Sequence, residues 1–360
     1  MWEASVPGWE GGVVADKVRV GLVGASAGSG WSSVAHIPGL RAAAGIELAA
    51  VCTSRPESAA AASEMYGVPG FHDVRDLAAQ EDIDLVSVVV RVPSHRDVVM
   101  AAIDGGKHVF SEWPLGADLN EAREMAARAE ELGVVTAVGL QGRHDPHLSL
   151  IRNLHADGWL GRVVSVSVTM FGGGVLARSS QDAWMADKAN GANFLTIAGG
   201  HAIDVIDYCV APFAGLAARV STQFPEWLLS DTGETISVDA PDSVALEGEL
   251  EGGATVSLHA ANVPHNASGW KMRIYGTDGT VVASTPGLPQ ITPIKLVGAR
   301  GSDPLEELWL PAELADEMPP GPPGNVGRAY QDLAAAIAQG RAFTPDFAHA
   351  ESLHSLLHGM

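Results

Sequence analysis

A short apolar strand that breaks into a glycine-rich turn constrains this chain more than any other stretch. Residues 17–23 read Lys-Val-Arg-Val-Gly-Leu-Val, and the next eight read Gly-Ala-Ser-Ala-Gly-Ser-Gly-Trp before a predicted helix over residues 32–40. Such a turn leaves backbone N–H groups free at a helix N-terminus, where a phosphate group can bind. The pattern indicates a dinucleotide site, although Ser26 stands where the regular G-x-G-x-x-G spacing has a glycine. By itself, the turn also fits a purely structural connection.

Strands and helices alternate after this turn, with about 30 residues in each unit, and this rhythm predicts a doubly wound parallel sheet of the α/β class. The predicted strands are residues 46–52, 84–90, 107–111 and 134–140, with helices ending near residues 66, 105 and 132. The rhythm stops near residue 142. We therefore assign residues 17–142 to a Rossmann dinucleotide-binding domain and residues 1–16 to an N-terminal tail.

The remaining residues, 143–360, predict an α+β domain with an open, mostly antiparallel sheet that binds substrate and mediates oligomerisation. The alternation Val-Ser-Val-Ser-Val within residues 162–171 predicts a half-solvated antiparallel strand. Similar strands are predicted at residues 217–224, 243–250, 254–261, 270–275 and 280–283. A proline- and glycine-rich loop at 319–324 precedes a last long helix at 325–339. An open sheet face favours either a helical cover or a partner subunit, and we expect a homodimer or homotetramer through this sheet.

Charge and cysteine content limit the possible partners. The 360 residues carry a formal net charge of -21, so we expect neither nucleic acid nor a membrane surface as a partner, since both need a basic face. Cys52 and Cys209 form no C-x-x-C pair, and residues 1–12 do not resemble a signal peptide. No stretch reaches the apolar length of a membrane span. These features favour a cytoplasmic protein that binds small molecules.

Several segments after the glycine turn carry a resemblance to a known family. They are His36-Ile37-Pro38, Pro93-Ser94-His95, Glu112-Trp113-Pro114, residues 139–143 and residues 199–204. In this order they resemble the glucose-fructose oxidoreductase, inositol dehydrogenase and rhizopine-catabolism (Gfo/Idh/MocA) family. Within it, the glycine turn and residues 196–201 are similar to the branch that contains the galactose-regulon repressor of yeasts. That branch includes both enzymes and a cofactor-binding regulator.

The resemblance implies a nicotinamide dinucleotide as cofactor and a cis peptide bond before Pro114. The implied cofactor-binding residues are Gly24, Ser26, Gly28, Gly30, Trp31, Ser54, Arg55, Pro93, His95, Glu112, Trp113, Pro114 and Gln141. After the second strand the chain reads Thr-Ser-Arg, where a guanidinium suits a 2′-phosphate better than the carboxylate typical of NAD sites. We therefore expect NADP, with NAD as the alternative, because an arginine here is also compatible with a solvated surface position.

His201 matches the histidine of the family's second-domain motif and is the predicted general acid/base, because an imidazole titrates near neutrality. A buried structural histidine is the alternative. Two other catalytic groups of the family are replaced. Trp113 stands in the lysine position of the usual Glu-Lys-Pro triplet, and Ile197 stands in the position of an aspartate four residues before the histidine. Lys188, in a polar loop over residues 184–191, is a candidate to replace the missing lysine, and a solvated loop without a role in the site is the alternative.

Further side chains are expected to line a substrate pocket. The predicted set is Trp113, Arg143, Trp184, Asp187, Asn190 and His201, although Arg143 could equally pair with a carboxylate. No histidine and carboxylate spacing indicates a metal site, so we predict none. His349, His354 and His358 are interpreted as part of a polar terminal helix with no carboxylate triad around it.

Two functional hypotheses follow from these residues. The preferred one is an NAD(P)-dependent oxidoreductase that acts on a sugar, cyclitol or related polyol or glycoside. The alternative is a non-catalytic cofactor-binding regulator, favoured by the replaced lysine and aspartate. A reductase of keto-sugars or imines is a third, weaker hypothesis.

Overall fold

The computed structural model describes residues 17–28 and 30–360, so the predicted tail at residues 1–16 lies outside the described residues. The N-terminal part contains six parallel strands in the order β3-β2-β1-β4-β5-β6. The strands are β1 (Val18–Val23), β2 (Ile46–Cys52), β3 (Gly70–Phe71), β4 (Leu85–Val88), β5 (His108–Glu112) and β6 (Thr136–Gly139). This order is that of a dinucleotide-binding Rossmann sheet, which confirms the predicted fold class.

Five helices cover this sheet. They are α1 (Ile37–Ala42), α2 (Pro56–Tyr66), α3 (Val74–Ala78), α4 (His95–Asp104) and α5 (Leu119–Leu132). The prediction of one continuous helix over residues 32–40 is wrong in detail. Residues Ser32–His36 form a wider π-helical turn, in which the Ile37 N–H donates to the Ser32 carbonyl oxygen. Pro38 has no N–H with which to continue a regular helical ladder, and this accounts for the change.

The second part contains a larger sheet of eight strands, in the order β17-β16-β15-β14-β7-β13-β12-β9, and a small sheet, β11-β10-β8. The strands are β7 (Val163–Gly172), β8 (Ala177–Arg178), β9 (Phe213–Ser221), β10 (Glu226–Leu229), β11 (Thr235–Ser237), β12 (Ser243–Leu250), β13 (Thr255–Asn262), β14 (Gly269–Gly276), β15 (Gly279–Thr285), β16 (Lys295–Arg300) and β17 (Glu306–Glu307). The mostly antiparallel sheet is confirmed. The prediction for β7 itself is wrong in part, because it pairs parallel to β13 and antiparallel to β14. Residue alternation reports which faces are buried and not the direction of the neighbours.

Four more helices complete the described chain: α6 (Pro146–Ala156), α7 (Gly200–Cys209), α8 (Pro322–Ala338) and α9 (Phe347–His358). Helix α8 begins inside the stretch predicted as a loop, because a proline in the first helical turn needs no N–H partner. The prediction that the terminal helix is polar is also wrong, since Phe347, Ala350 and Leu353 of α9 are buried. Among the described residues, none of the helices is both long enough and apolar enough to cross a bilayer.

The last two helices return to the Rossmann sheet. Val326, Tyr330 and Leu333 of α8 share one hydrophobic core with Leu22 and Phe110 of the sheet, and α9 packs along α5. Residues distant in sequence therefore support the N-terminal layer. The boundary at residue 142 stays a prediction.

Candidate functional site

A cleft of about 990 Å³ runs along the carboxyl ends of β1, β2, β4 and β5. Ligands bind at this edge of doubly wound sheets, where the strand order reverses. Ten of the predicted cofactor residues line the cleft: Gly24, Ser26, Gly30, Trp31, Ser54, Arg55, His95, Glu112, Trp113 and Pro114. The other three, Gly28, Pro93 and Gln141, lie outside its lining.

The glycine turn is held closed by side-chain hydrogen bonds. Ser32 Oγ donates to the Gly24 carbonyl oxygen at 2.9 Å, and the Tyr66 hydroxyl donates to the Ser26 carbonyl oxygen at 3.0 Å. Gly24 has a φ of +91° and abuts the Val89 carbonyl, so no side chain fits there. A turn of glycines and other small residues at a helix N-terminus lets a pyrophosphate approach the backbone. The residues present therefore fit a dinucleotide.

At the far end of the cleft, Ser54 and Arg55 follow β2, and His72 and Asp73 face the same space. The Asp73 carboxylate already accepts a hydrogen bond from the Arg75 N–H at 2.8 Å, as the cap of α3. The Arg55 side chain has no hydrogen-bond partner among the described residues. An arginine without such a partner is available to a ligand.

Glu112 ends β5 and is held from two sides by buried partners. Gln141 Nε2 donates to both carboxylate oxygens, at 3.0 and 2.8 Å, and His36 Nε2 lies 2.9 Å from Oε1. This hydrogen-bond network extends from His36 Nδ1 to the Tyr330 hydroxyl, at 2.6 Å. The Tyr330 hydroxyl in turn lies 2.5 Å from Ser87 Oγ. Sequence reasoning missed Tyr330 and Ser87 because Tyr330 lies 294 residues from His36.

Trp113 fills the position of the family's lysine. Its Nε1 donates to the Thr196 carbonyl oxygen at 2.8 Å, its ring lies 4.7 Å from that of His354, and its peptide bond to Pro114 is cis. The backbone of Gly200 approaches so closely that an added Cβ would lie 2.6 Å from Trp113 Nε1. The indole therefore joins the Rossmann edge to the start of α7.

His201 is buried, with 5% of its surface exposed, and lies outside the linings of both the cleft and the second cavity described below. Burial lowers the pKa of His201 to about 4, and the charges of Asp204 and Glu112 oppose this shift only in part. No described residue hydrogen bonds to its ring. Ile197, in the position of the family's aspartate, does line the cleft. A π-helical turn over Leu195–Gly199 precedes α7 and sets the position of Ile197.

The structure does not bring the loop at residues 184–191 into the cleft as a whole. Trp184 lines the cleft. Lys188 is exposed, with Nζ 3.9 Å from Asp239, and the Asp187 carboxylate accepts a hydrogen bond from the Ala189 N–H. Asn190 Nδ2 donates to the Trp184 carbonyl oxygen at 2.6 Å. These polar side chains stabilise the loop itself.

Arg143 pairs with carboxylates, the alternative to its predicted place in the substrate pocket. Its Nη2 contacts Asp204 at 2.7 Å, Asp207 at 2.6 Å and His349 Nε2 at 2.9 Å. Although burial alone would raise the pKa of Asp204, Arg143 and the hydrogen bond with His349 lower it. His349 therefore does lie beside carboxylates, contrary to the prediction. Asp204, Asp207 and His349 are spaced closely enough for a metal ion, but the Arg143 guanidinium lies against all three; the absence of a metal stays a prediction.

A second cavity, of about 400 Å³, lies between the large sheet and the small sheet, and Ile197 lines both this cavity and the cleft. Its lining comes from separate segments between residues 171 and 292. The strands of the small sheet have two to four residues each, too short for a hydrophobic period to identify. Sequence reasoning accordingly missed this cavity.

Comparison with known proteins agrees with this architecture. Residues 18–140 match the model of the Gfo/Idh/MocA group, described as an oxidoreductase family with an NAD-binding Rossmann fold, and residues 146–285 match the C-terminal domain of Gal80p. A relative from Aspergillus oryzae, dehydrogenase aclE, is 35% identical over 65% of this chain and 67% of its own length. The chain belongs to the Gfo/Idh/MocA oxidoreductase family.

Its relatives within the Gfo/Idh/MocA family include both a regulator and enzymes. The galactose/lactose metabolism regulatory protein GAL80 of Saccharomyces cerevisiae is 27% identical over 66% of this chain and 59% of its own length. A solved structure of levoglucosan dehydrogenase, in complex with NADH and levoglucosan, has a TM-score of 0.84 at 23% identity and covers 95% of both chains. This likeness supports the shared fold.

Proposed function

We propose that this chain is an NAD(P)-dependent oxidoreductase that acts on a CH–OH group of a sugar, cyclitol or related polyol or glycoside. The observation that carries the proposal is the adjacency of two spaces at Ile197: the cleft lined by the predicted cofactor residues and the second cavity. A bound nicotinamide would supply the hydride-transfer chemistry. A neighbouring cavity that can hold a small molecule is what such an enzyme needs in addition to its cofactor site.

The residues of the chain have distinct proposed roles. Glu112, fixed by Gln141 and His36, orients groups at the nicotinamide end of the cleft. His201 is the proposed proton acceptor, because its lowered pKa keeps the ring neutral near pH 7. Because His201 is buried and lines neither space, this role requires that substrate binding open a path to its ring. A catalytic role for Lys188 has no geometric support and stays a prediction.

Turnover is the direct test. Purified protein is mixed with NAD⁺ or NADP⁺ and a panel of sugars, cyclitols and glycosides, and the absorbance of the reduced nicotinamide is followed. We expect turnover with at least one compound, and a loss of about 100-fold or more in His201→Asn with cofactor affinity unchanged. Absence of turnover throughout would reject the proposed function, and a fully active His201→Asn variant would reject the role of His201 as proton acceptor.

NADP is the proposed coenzyme because of Arg55. Fluorescence titration should give tighter binding of NADPH than of NADH. Arg55→Ala should weaken NADPH binding about tenfold, the value of one charge-assisted hydrogen bond to a phosphate, and leave NADH binding unchanged. Arg162→Ala, an exposed arginine outside the cleft, is the control. Equal affinities of the wild type for both coenzymes would favour NAD.

The second candidate function is a non-catalytic regulator that binds the dinucleotide as a signal. The observation in its favour is that Trp113 and Ile197 replace the two charged groups while His201 is buried. This hypothesis predicts tight cofactor binding, no turnover, and a protein partner whose binding depends on the cofactor. Measurable turnover together with no captured partner would rule it out. The cytoplasmic location and the homo-oligomer stay predictions.

A further inference from the structure

The second cavity has a largely apolar wall that could enclose a ring or a hydrocarbon chain. Aromatic and aliphatic side chains surround it: Phe171, Met185, Phe194, Trp227, Leu288 and Ile291. A free sugar carries a hydroxyl on nearly every carbon, and each hydroxyl buried without a partner costs free energy. The wall therefore favours a molecule with an apolar body.

One cation faces this apolar space with no hydrogen bond or ion pair to a described residue. The Arg178 guanidinium lies 4.2 Å from the centroid of the Trp227 ring, and among the described residues its side chain makes neither a hydrogen bond nor an ion pair; its Nε is fully buried. Asp242 also lines the cavity, but its carboxylate accepts hydrogen bonds from the Gln223 and Phe224 N–H groups, both at 2.8 Å. Burial lowers the pKa of Arg178, and the charges of Asp182 and Asp242 oppose this shift only in part. A ligand carboxylate in direct contact with the guanidinium would offset the remaining cost of its burial.

Two residues of the lining also carry neutral polar groups that have no hydrogen-bond partner among the described residues. The Nε1 of Trp227 is buried and has no partner among the described residues. The side-chain amide of Asn262 likewise makes no hydrogen bond with a described residue. A guanidinium, an indole N–H and an amide at one apolar cavity form a small polar set of the kind that orients a ligand.

We propose that this cavity binds the carboxylate-bearing apolar end of the substrate, with Arg178 as the carboxylate-binding residue. The proposal rests on the proposed oxidoreductase function, because the CH–OH group of the same molecule must extend past Ile197 to the cleft. Within the proposed function, it narrows the substrate class to glycosides or related CH–OH compounds that combine an apolar ring or chain with one carboxylate. Planar guanidinium and carboxylate groups pair through two parallel hydrogen bonds, which gives the discrimination.

Binding of matched probes tests this inference. The full chain loaded with NADPH is titrated calorimetrically with trans-4-hydroxycyclohexanecarboxylate and with the corresponding carboxamide, which keeps the ring and the hydroxyl but lacks the charge. We expect the carboxylate to bind about tenfold to 100-fold more tightly. Glucuronate and glucose form a second pair. They differ in the carboxylate but both lack an apolar body, so this pair measures the effect of the charge alone. Equal binding of carboxylate and carboxamide would overturn the proposal.

Variants assign the effect to Arg178. Arg178→Gln should remove the preference for the carboxylate while carboxamide binding stays within twofold, and Arg178→Lys should restore part of it. The control is Arg152→Gln, an arginine that also stacks on an aromatic ring, Tyr208, outside both spaces. A thermal melt identifies any variant that fails to fold. In that case Trp227→Phe, which removes the N–H together with the five-membered ring of the indole, should still weaken carboxylate binding.

The two proposals fail differently. If NADPH and NADH do not bind, or if no compound is turned over, the oxidoreductase function fails. If neutral polyols are turned over and the carboxylate probe has no advantage, only the substrate class fails. An unchanged preference in Arg178→Gln would also reject the assignment of the carboxylate site.

Discussion

Trp113 shows how a single replacement changes the role of a position. Where the family carries a lysine, the indole donates its N–H to the Thr196 carbonyl oxygen and packs against Gly200. A polar group that would meet a substrate is replaced by a buried ring that joins two parts of the fold. Any proton transfer at this site must therefore use another side chain, and His201 is the nearest match to the family motif.

Gly200→Ala tests this packing. The added Cβ would lie 2.6 to 2.9 Å from three atoms of the Trp113 indole, so the ring or the helix must move. We expect the free energy of unfolding to fall by about 1–3 kcal/mol, as for other overpacked sites, when measured by urea denaturation. Gly215→Ala is the control, since no described heavy atom lies within 4 Å of its Cβ position. If Trp113→Leu does not recover stability in the alanine variant, the clash is not with the indole.

Arg143 is the residue on which the buried carboxylates depend. The Asp204 side chain is 1% exposed and pairs with this guanidinium. Arg143→Met should leave Asp204 without its main counter-charge and lower the free energy of unfolding by about 3–5 kcal/mol. Arg152 stacks on Tyr208 and has no ion pair among the described residues. Arg152→Met should therefore lower the free energy of unfolding much less. Similar losses in the two variants in chemical denaturation would contradict this interpretation.

At the scale of elements, α8 is attached to the Rossmann sheet by a polar contact inside an apolar core. The Tyr330 hydroxyl contacts His36 Nδ1 and Ser87 Oγ, while neighbouring α8 residues pack against β1 and β5. This contact also supports Glu112 through His36. A helix near the end of the chain thus positions a residue of the cleft.

Tyr330→Phe keeps the ring and removes only the hydroxyl. His36 Nδ1 and Ser87 Oγ then lose a buried partner, so we expect the free energy of unfolding to fall by about 1–3 kcal/mol. Cofactor affinity should also fall, because Glu112 is held less firmly. Tyr275→Phe, at a partly exposed tyrosine, is the matched control for both urea denaturation and NADPH titration. An unchanged Tyr330→Phe protein would show that α8 is held by apolar packing alone.

For the whole molecule, buried neutral histidines make stability depend on pH. Burial lowers the pKa of both His201 and His354 to about 4, whereas an unfolded histidine titrates near 6.5. As pH falls from about 6.5 to 4, the unfolded state binds protons that the folded state does not. We expect each histidine to remove about 1.4 kcal/mol of stability per pH unit in that range, and little more below it.

Urea denaturation between pH 4 and 7 measures this slope. His354→Gln should reduce the slope by the amount that one proton contributes, about 1.4 kcal/mol per pH unit. His265→Gln, at an exposed histidine, is the control and should leave the slope unchanged. Asp204, whose pKa is lowered, affects stability at more acidic pH. Its contribution to the free energy of unfolding is present above about pH 4 and is lost as pH falls through its folded-state pKa. An equal slope in wild type and His354→Gln would show that His354 is protonated in the folded state.

The sequence by itself determined the local features of this protein. Its apolar strands and glycine turn predicted the parallel sheet and the mostly antiparallel second sheet, because periodicity and turn chemistry report geometry over a few neighbouring residues. Its ordered motifs carried the resemblance that implied the family and the ten predicted cofactor residues that line one cleft. Only the tertiary structure decided that Arg143 pairs with Asp204, that His201 is buried, and that Arg178 faces a second cavity. These depend on distances between segments far apart in the chain, which packing sets and no local pattern encodes.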